Sequence, residues 1–150
     1  MYIVSSLMMV FFSWGIGAII AQLIEIEWSL KFDSKTIIKD DFWNKFVGVN
    51  LFQQFVTKTI YGKLNQTIKI SNRSRKDLTI PKKEMIKSEI GHFVGFLSSQ
   101  LAFIVIYQFN YDGKFFLAGT LFNILLNGYP FLLQQKNKIR INRIINNYSC

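Results

Sequence analysis

His92 is the sole histidine of the chain, and Glu89 stands three residues before it. At 100° per residue that spacing puts both side chains on one helix face, so a carboxylate lies within reach of the imidazole. An unperturbed imidazole titrates near pH 6.5, and a neighbouring carboxylate can orient it and stabilise its cation. The pair therefore has the form of a general base with its orienting group, the arrangement that activates a hydroxyl. The same residue types also serve a plainer purpose, hydrogen bonding one buried helix to another. E-x-x-H contributes to carboxylate-bridged metal sites in helical bundles, but those need a second such motif. With one histidine, and Cys150 as the single cysteine, neither a metal site nor a disulfide is expected.

More polar residues keep company with this pair. On a helix carrying Glu89 and His92, Ser99 and Gln100 fall within the same arc of about 100°, and Asn123, Asn127, Pro130, Gln134 and Asn137 share an arc of about 80° on a later one. A turn near Asp112 makes the two helices antiparallel and sets His92 at the depth of position 132, between Asn127 and Gln134. Glu89, His92, Asn127, Gln134 and Asn137 are thus expected to form one polar cluster.

The elements that must carry these residues are defined by missing charge. Met1–Ile24, Ile90–Tyr111 and Phe115–Gln135 hold no Asp, Glu, Lys or Arg, although such residues make up 18% of the chain. These runs of 24, 22 and 21 residues each exceed the roughly 20 needed to cross a bilayer as a helix. A water-soluble helix shows charge every turn or two on its outer face. The fold class expected is all-α: an integral membrane helical bundle of about three transmembrane helices, spanning 2–24, 90–110 and 115–135, in a single domain over 1–150. The first run lacks the preceding basic residue and small-residue cleavage site of a signal peptide, which predicts a retained helix. Gly15, Gly17, Ala18 and Ala21 give it a small-residue face for close packing.

Basic residues accumulate on the cytoplasmic side of short loops. Between Glu25 and Glu89 there are 13 Lys or Arg, the tail from Lys136 holds 4, and the turn at 110–114 holds 1. This places the N-terminus outside, with the loop 25–89 and the tail 136–150 in the cytoplasm of a multi-pass cell-membrane protein. The net charge of +9 falls on that face, where it attracts anionic lipid headgroups or a phosphate-bearing substrate. Nucleic acid is not an expected partner, since no reading motif accompanies the charge. The Asn-x-Ser/Thr triplets at Asn65, Asn72 and Asn147 lie on the same side and read as chance matches.

From Glu25 to Ile60, Phe32, Phe42, Trp43, Phe46, Val49, Phe52, Phe55 and Val56 recur at roughly helical spacing among charges. This predicts an interfacial amphipathic helix, with Lys39, Lys45 and Lys58 toward phosphates and water. A shallow membrane segment at Phe46–Tyr61 is the alternative. Asn65–Pro81 reads as a solvated loop, and Pro81 as the first turn of the second span.

E-I-G-H-F (Glu89 to Phe93) and N-G-Y-P-F-L-L-Q-Q-K-N-K-I-R (Asn127 to Arg140) resemble the glycosyl-diaponeurosporenoate acyltransferase family, small membrane enzymes of staphyloxanthin-type carotenoid biosynthesis. D-F-W-N-K (Asp41 to Lys45) and Gln22-Leu23 are similar as well. The family pattern reads E-x-x-H-W and N-x-Y-P-x-x-x-Q-R-Y-N-R-x-R. Glu89, His92, Asn127, Pro130, Gln134, Asn137 and Arg140 match it. Phe93 stands in place of a tryptophan, Gln135 of an arginine, Lys136 of a tyrosine and Lys138 of an arginine. An arginine fork is not replaceable by glutamine, so anion binding at position 135 departs from the family.

The resemblance implies acyl transfer from a thioester donor to a hydroxyl of a lipid-like, glycosylated acceptor. On that reading His92 is the base and Glu89 its orienter, and Asn127 and Gln134 donate to the oxyanion. Asn137 and Arg140, with Arg73, Arg75, Lys76, Lys138 and Arg143, bind the substrates and attract the donor's phosphates. The acyl thioester is a co-substrate, and neither cofactor nor metal is expected. The competing class is a non-enzymatic membrane module that binds anionic lipid or partner helices through the same stripes.

Overall fold

The computed structural model describes residues 2–23, 46–58, 75–110 and 112–147, without the side chains of 75–77, 81, 110 and 147. The described residues are helical apart from short turns, with no strand among them. In chain order they form α1 (Tyr2–Leu23), α2 (Val49–Lys58), α3 (Arg75–Asn110), α4 (Gly113–Asn123), a π-helical turn (Ile124–Gly128) and α5 (Tyr129–Asn147). Three stretches are long and apolar enough to cross a membrane: Tyr2–Leu23, Leu78–Phe109 and Gly113–Asn146. The chain divides into two compact units, Met1–Ile26 with Lys87–Phe131, and Glu27–Ile86 with Leu132–Cys150.

The first unit holds α1, the greater part of α3, and α4 with the π turn. Its polarity is inverted relative to a soluble protein. On α1 the buried residues are Ser6, Val10, Ser13, Gly17 and Ala21, one small-residue stripe, while Ile3, Phe11, Phe12, Ile16 and Ile19 are exposed. Lipid is as apolar as leucine, so nothing drives large side chains inward, and close backbone contact between small residues holds such helices together. Gly17 meets α3 so closely that a Cβ there would overlap the Gly91 carbonyl and lie 2.9 Å from the Gly95 nitrogen. Gly15, expected on the same face, has nothing within 4 Å of a built Cβ. Two residues turn an α-helix by about 200°, so Gly15 and Gly17 cannot share a contact.

The turn between α3 and α4 follows the sequence. Asp112 caps α4, its Oδ1 accepting from Lys114 N at 3.1 Å and Phe115 N at 3.0 Å, two donors that the helix start leaves unpaired. Below the cap Phe103, fully buried, lies against Gly119 and meets Phe115 edge to face at 5.5 Å.

Two boundaries differ from the sequence reading. α3 begins at Arg75 rather than at Pro81, so the end of the expected loop is helical and Pro81 sits inside the helix. An interior proline removes one backbone bond at a cost of about 3 kcal/mol. Leu78, Met85 and Ile86, all buried, offset that cost in the second unit. Likewise the helix entered at Gly113 does not end near Gln135 but continues to Asn147. A count of uncharged residues reports the hydrocarbon thickness, not the length of the helix that crosses it.

The second unit also contains α2, preceded by Gly48 at φ 81°, a left-handed backbone that glycine adopts without strain. Lys136 Nζ donates to Asn50 Oδ1 at 2.5 Å and Gln53 Oε1 at 2.6 Å, tying α2 to α5. α2 is the described part of the expected amphipathic helix; Phe32, Lys39 and Asp41–Lys45 lie outside the described residues, as do Asn65 and Asn72.

Adding one methyl at Gly17 is expected to destabilise the first unit by about 1–3 kcal/mol, the usual range for overpacking. Gly15→Ala is expected to be neutral or slightly stabilising. Unfolding of the two variants in mixed detergent–SDS micelles measures the difference. Lys136→Met is expected to speed amide hydrogen exchange selectively across Val49–Lys58.

Candidate functional site

His92 lies on α3 in the first unit, half-buried, with its ring stacked on Trp14 of α1 at a centroid distance of 6.3 Å and an interplanar angle of 28°. Its Nδ1 meets Asn127 Oδ1 at 3.4 Å. From there a line of amides runs along the facing helices. Asn127 Nδ2 donates to Asn123 Oδ1 at 3.0 Å, and Asn123 Nδ2 donates to the Phe96 carbonyl at 2.9 Å and to Gln100 Oε1 at 3.4 Å. Gln100 Nε2 completes the line by donating to Thr120 Oγ1 at 3.2 Å. Asn123 and Asn127 are wholly buried. An unpaired amide there would cost several kcal/mol, so each member depends on the next.

Local backbone features make the line possible. Through Ile124–Gly128 the helix widens to a π turn, in which Tyr129 N–H bonds to the Ile124 carbonyl five residues back. One extra residue enters the turn, so a uniform advance of 100° does not hold across it. The single arc drawn from Asn123 to Asn137 is therefore interrupted, although Asn123 and Asn127 still reach α3 together. Gly95 provides the room on the opposite side. A Cβ there would stand 3.2 Å from both Asn127 Oδ1 and Trp14 Cα.

The structure sets His92 beside Asn127, two of the residues that the helical spacing groups. Glu89 is buried on the preceding turn, but Nδ1 meets the Asn127 amide instead. Asn127, expected to donate to an oxyanion, has its Nδ2 on Asn123 and its carbonyl toward His92. Ser99 and Gln100 belong to the first unit as well, Ser99 Oγ buried without a hydrogen-bond partner.

Gln134, Asn137, Arg140 and Arg143 belong to the second unit, with the first two half-buried and both arginines exposed. Lys138 is wholly buried there. Arg73 lies outside the described residues, and Arg75 and Lys76 are placed on α3 by backbone alone.

Trp14 was not singled out by sequence reasoning. A signal existed, since tryptophan in a span prefers the headgroup layers and this one sits mid-helix. Nothing in I-L-L-N-G announces the π turn.

The fold and this site define a helical membrane protein with a polar interior, organised around one histidine held by an amide line. The glycosyl-4,4'-diaponeurosporenoate acyltransferase family model matches residues 27–147 of the chain. The chain belongs to that family and is thereby an acyltransferase of carotenoid biosynthesis. No curated protein and no solved structure matches it.

Because Asn123 and Asn127 share one bond and a common line, Asn123→Leu and Asn127→Leu are expected to be non-additive. A double-mutant cycle read by unfolding in micelles should give a coupling of about 0.5–1.5 kcal/mol. Independent effects would dissolve the line into separate contacts.

Proposed function

We propose that the protein is an O-acyltransferase, moving a fatty acyl group from a thioester donor to a hydroxyl of a lipid-like, glycosylated terpenoid. The observation that carries the reading is His92, held in one orientation by Asn127 and Trp14 inside a chain of this family. His92 takes the proton of the acceptor hydroxyl as its oxygen attacks the thioester carbonyl. The tetrahedral intermediate collapses, the carbon–sulfur bond breaks, and the imidazolium returns the proton to the leaving thiolate. The new ester and a free thiol are the products.

Glu89, one turn before His92, is assigned the compensating charge for the imidazolium, while Asn127 takes over orientation of the ring. From the sequence alone Gln134 is assigned the oxyanion, a contact that can contribute about 3 kcal/mol. Asn137 and the cations Arg140, Arg143, Arg73, Arg75 and Lys76 are assigned the donor's phosphates, while Lys138, expected with them, is wholly buried. The excess of basic residues in the loop and tail supports a cytoplasmic position for both, with the N-terminus outside. Membrane lipid is the further partner of that positive face.

Purified protein in detergent, given a fatty acyl thioester and a glycosylated terpenoid, is expected to form the ester and release one thiol per turnover. His92→Ala is expected to lower turnover by at least about 10², the usual contribution of a positioned general base. Undiminished turnover in that variant would overturn the assignment. A wild-type protein that binds anionic vesicles and transfers nothing would favour the non-enzymatic module.

A further inference from the structure

We infer that Asn123, acting through Asn127, locks neutral His92 as the Nδ1–H tautomer and so leaves the Nε2 lone pair as the base. The inference rests on His92 being the general base, and it concerns what fixes the direction of its lone pair.

The argument starts from a group with no choice. The Phe96 backbone carbonyl can only accept, so the Asn123 atom 2.9 Å away must be the nitrogen. Asn123 Oδ1 then faces Asn127, and the Asn127 atom 3.0 Å from it must donate and is also a nitrogen. That leaves Asn127 Oδ1 turned to His92, and an amide oxygen cannot donate. His92 Nδ1 must therefore carry the hydrogen. In the neutral ring the other nitrogen is then the acceptor.

The direction set at Phe96 is thus transmitted through two amides to the imidazole. Gln100 reinforces it, because its Oε1 also accepts from Asn123 Nδ2 while its own nitrogen donates to Thr120. A flipped Asn123 would set its oxygen against the Phe96 carbonyl in a buried, low-dielectric place, which is prohibitive. Trp14 restrains the plane of the ring, and the missing Cβ of Gly95 lets Asn127 Oδ1 sit where Nδ1 can reach it. Neither Asn123 nor Gln100 touches a reacting atom in this scheme. They are positioning residues.

Since the chain has a single histidine, a spectrum of protein labelled with ¹⁵N-histidine reports His92 alone. In detergent, above the pH of its titration, the wild type is expected to show a protonated Nδ1 and an unprotonated Nε2, the tautomer that free side chains in water disfavour. Asn123→Leu and Asn127→Leu are expected to move the signal toward the Nε2–H form and to lower kcat on the order of 10- to 100-fold with little change in KM. This is less than the roughly 10⁴-fold that tautomer inversion costs a serine-protease triad.

Asn127→Asp in its protonated form still donates to Asn123 Oδ1 and accepts from Nδ1, and is expected to retain the Nδ1–H tautomer. It carries the comparison with Asn127→Leu if Asn123→Leu does not assemble. An Nε2–H wild type overturns the inference. So does an Asn123→Leu protein that folds and keeps the Nδ1–H form. An Nδ1–H wild type whose His92→Ala variant retains full transfer would leave the lock standing and remove the catalytic reading instead.

Discussion

Inside a bilayer a buried amide has no water to fall back on, and the line from His92 through Asn127, Asn123 and Gln100 to Thr120 is the response to that constraint. Each interior amide can stay in the hydrocarbon only while its neighbour keeps the facing orientation. The glycines of the interior follow from the same demand. Gly17 lets α1 reach α3, and Gly95 lets Asn127 and Trp14 approach His92 from two sides. A larger residue at either place would open the distance over which the hydrogen bonds must act.

The sequence is most legible where the solvent's demand is coarse. Three uncharged runs mark the apolar lengths, and Asp112 marks the turn between α3 and α4 because a cap has a local chemistry that a single residue can satisfy. The ends of α3 and α5 were not legible, because a helix emerging from the hydrocarbon is no longer tied to apolar composition. Arg75–Pro81 is polar, contains a proline, and is helical nonetheless. Its cause is the packing of Leu78 and its neighbours, which no local propensity contains.

The site was legible in membership more than in roles. Helical arithmetic brought Asn127 to the level of His92, and the resemblance selected both. It could not say which end of the Asn127 amide faces the ring, because that is decided at Phe96, a residue whose side chain has no part in it and whose backbone carbonyl every residue shares. Nor could it register the π turn, where the assumption of 100° per residue lapses without any change in residue type. Only Trp14 left a readable trace, as an aromatic placed away from the membrane surface where tryptophan normally settles.

In the familiar hydrolase triad a single carboxylate both aims the histidine and balances its positive charge. In the proposed reaction the two tasks fall to different residues. Asn127 meets the ring with a neutral carbonyl, and Glu89 is buried one turn away on the same helix. The separation suits a low dielectric. A carboxylate in the place of Asn127 could not donate to Asn123 while ionised, and its full desolvation would fall on a wholly buried position. In the proposed reaction the order Glu–His–Asn, with His92 on α3 and Asn127 on the π turn, would let a proton be taken up and returned while Nδ1–H keeps its bond to Asn127.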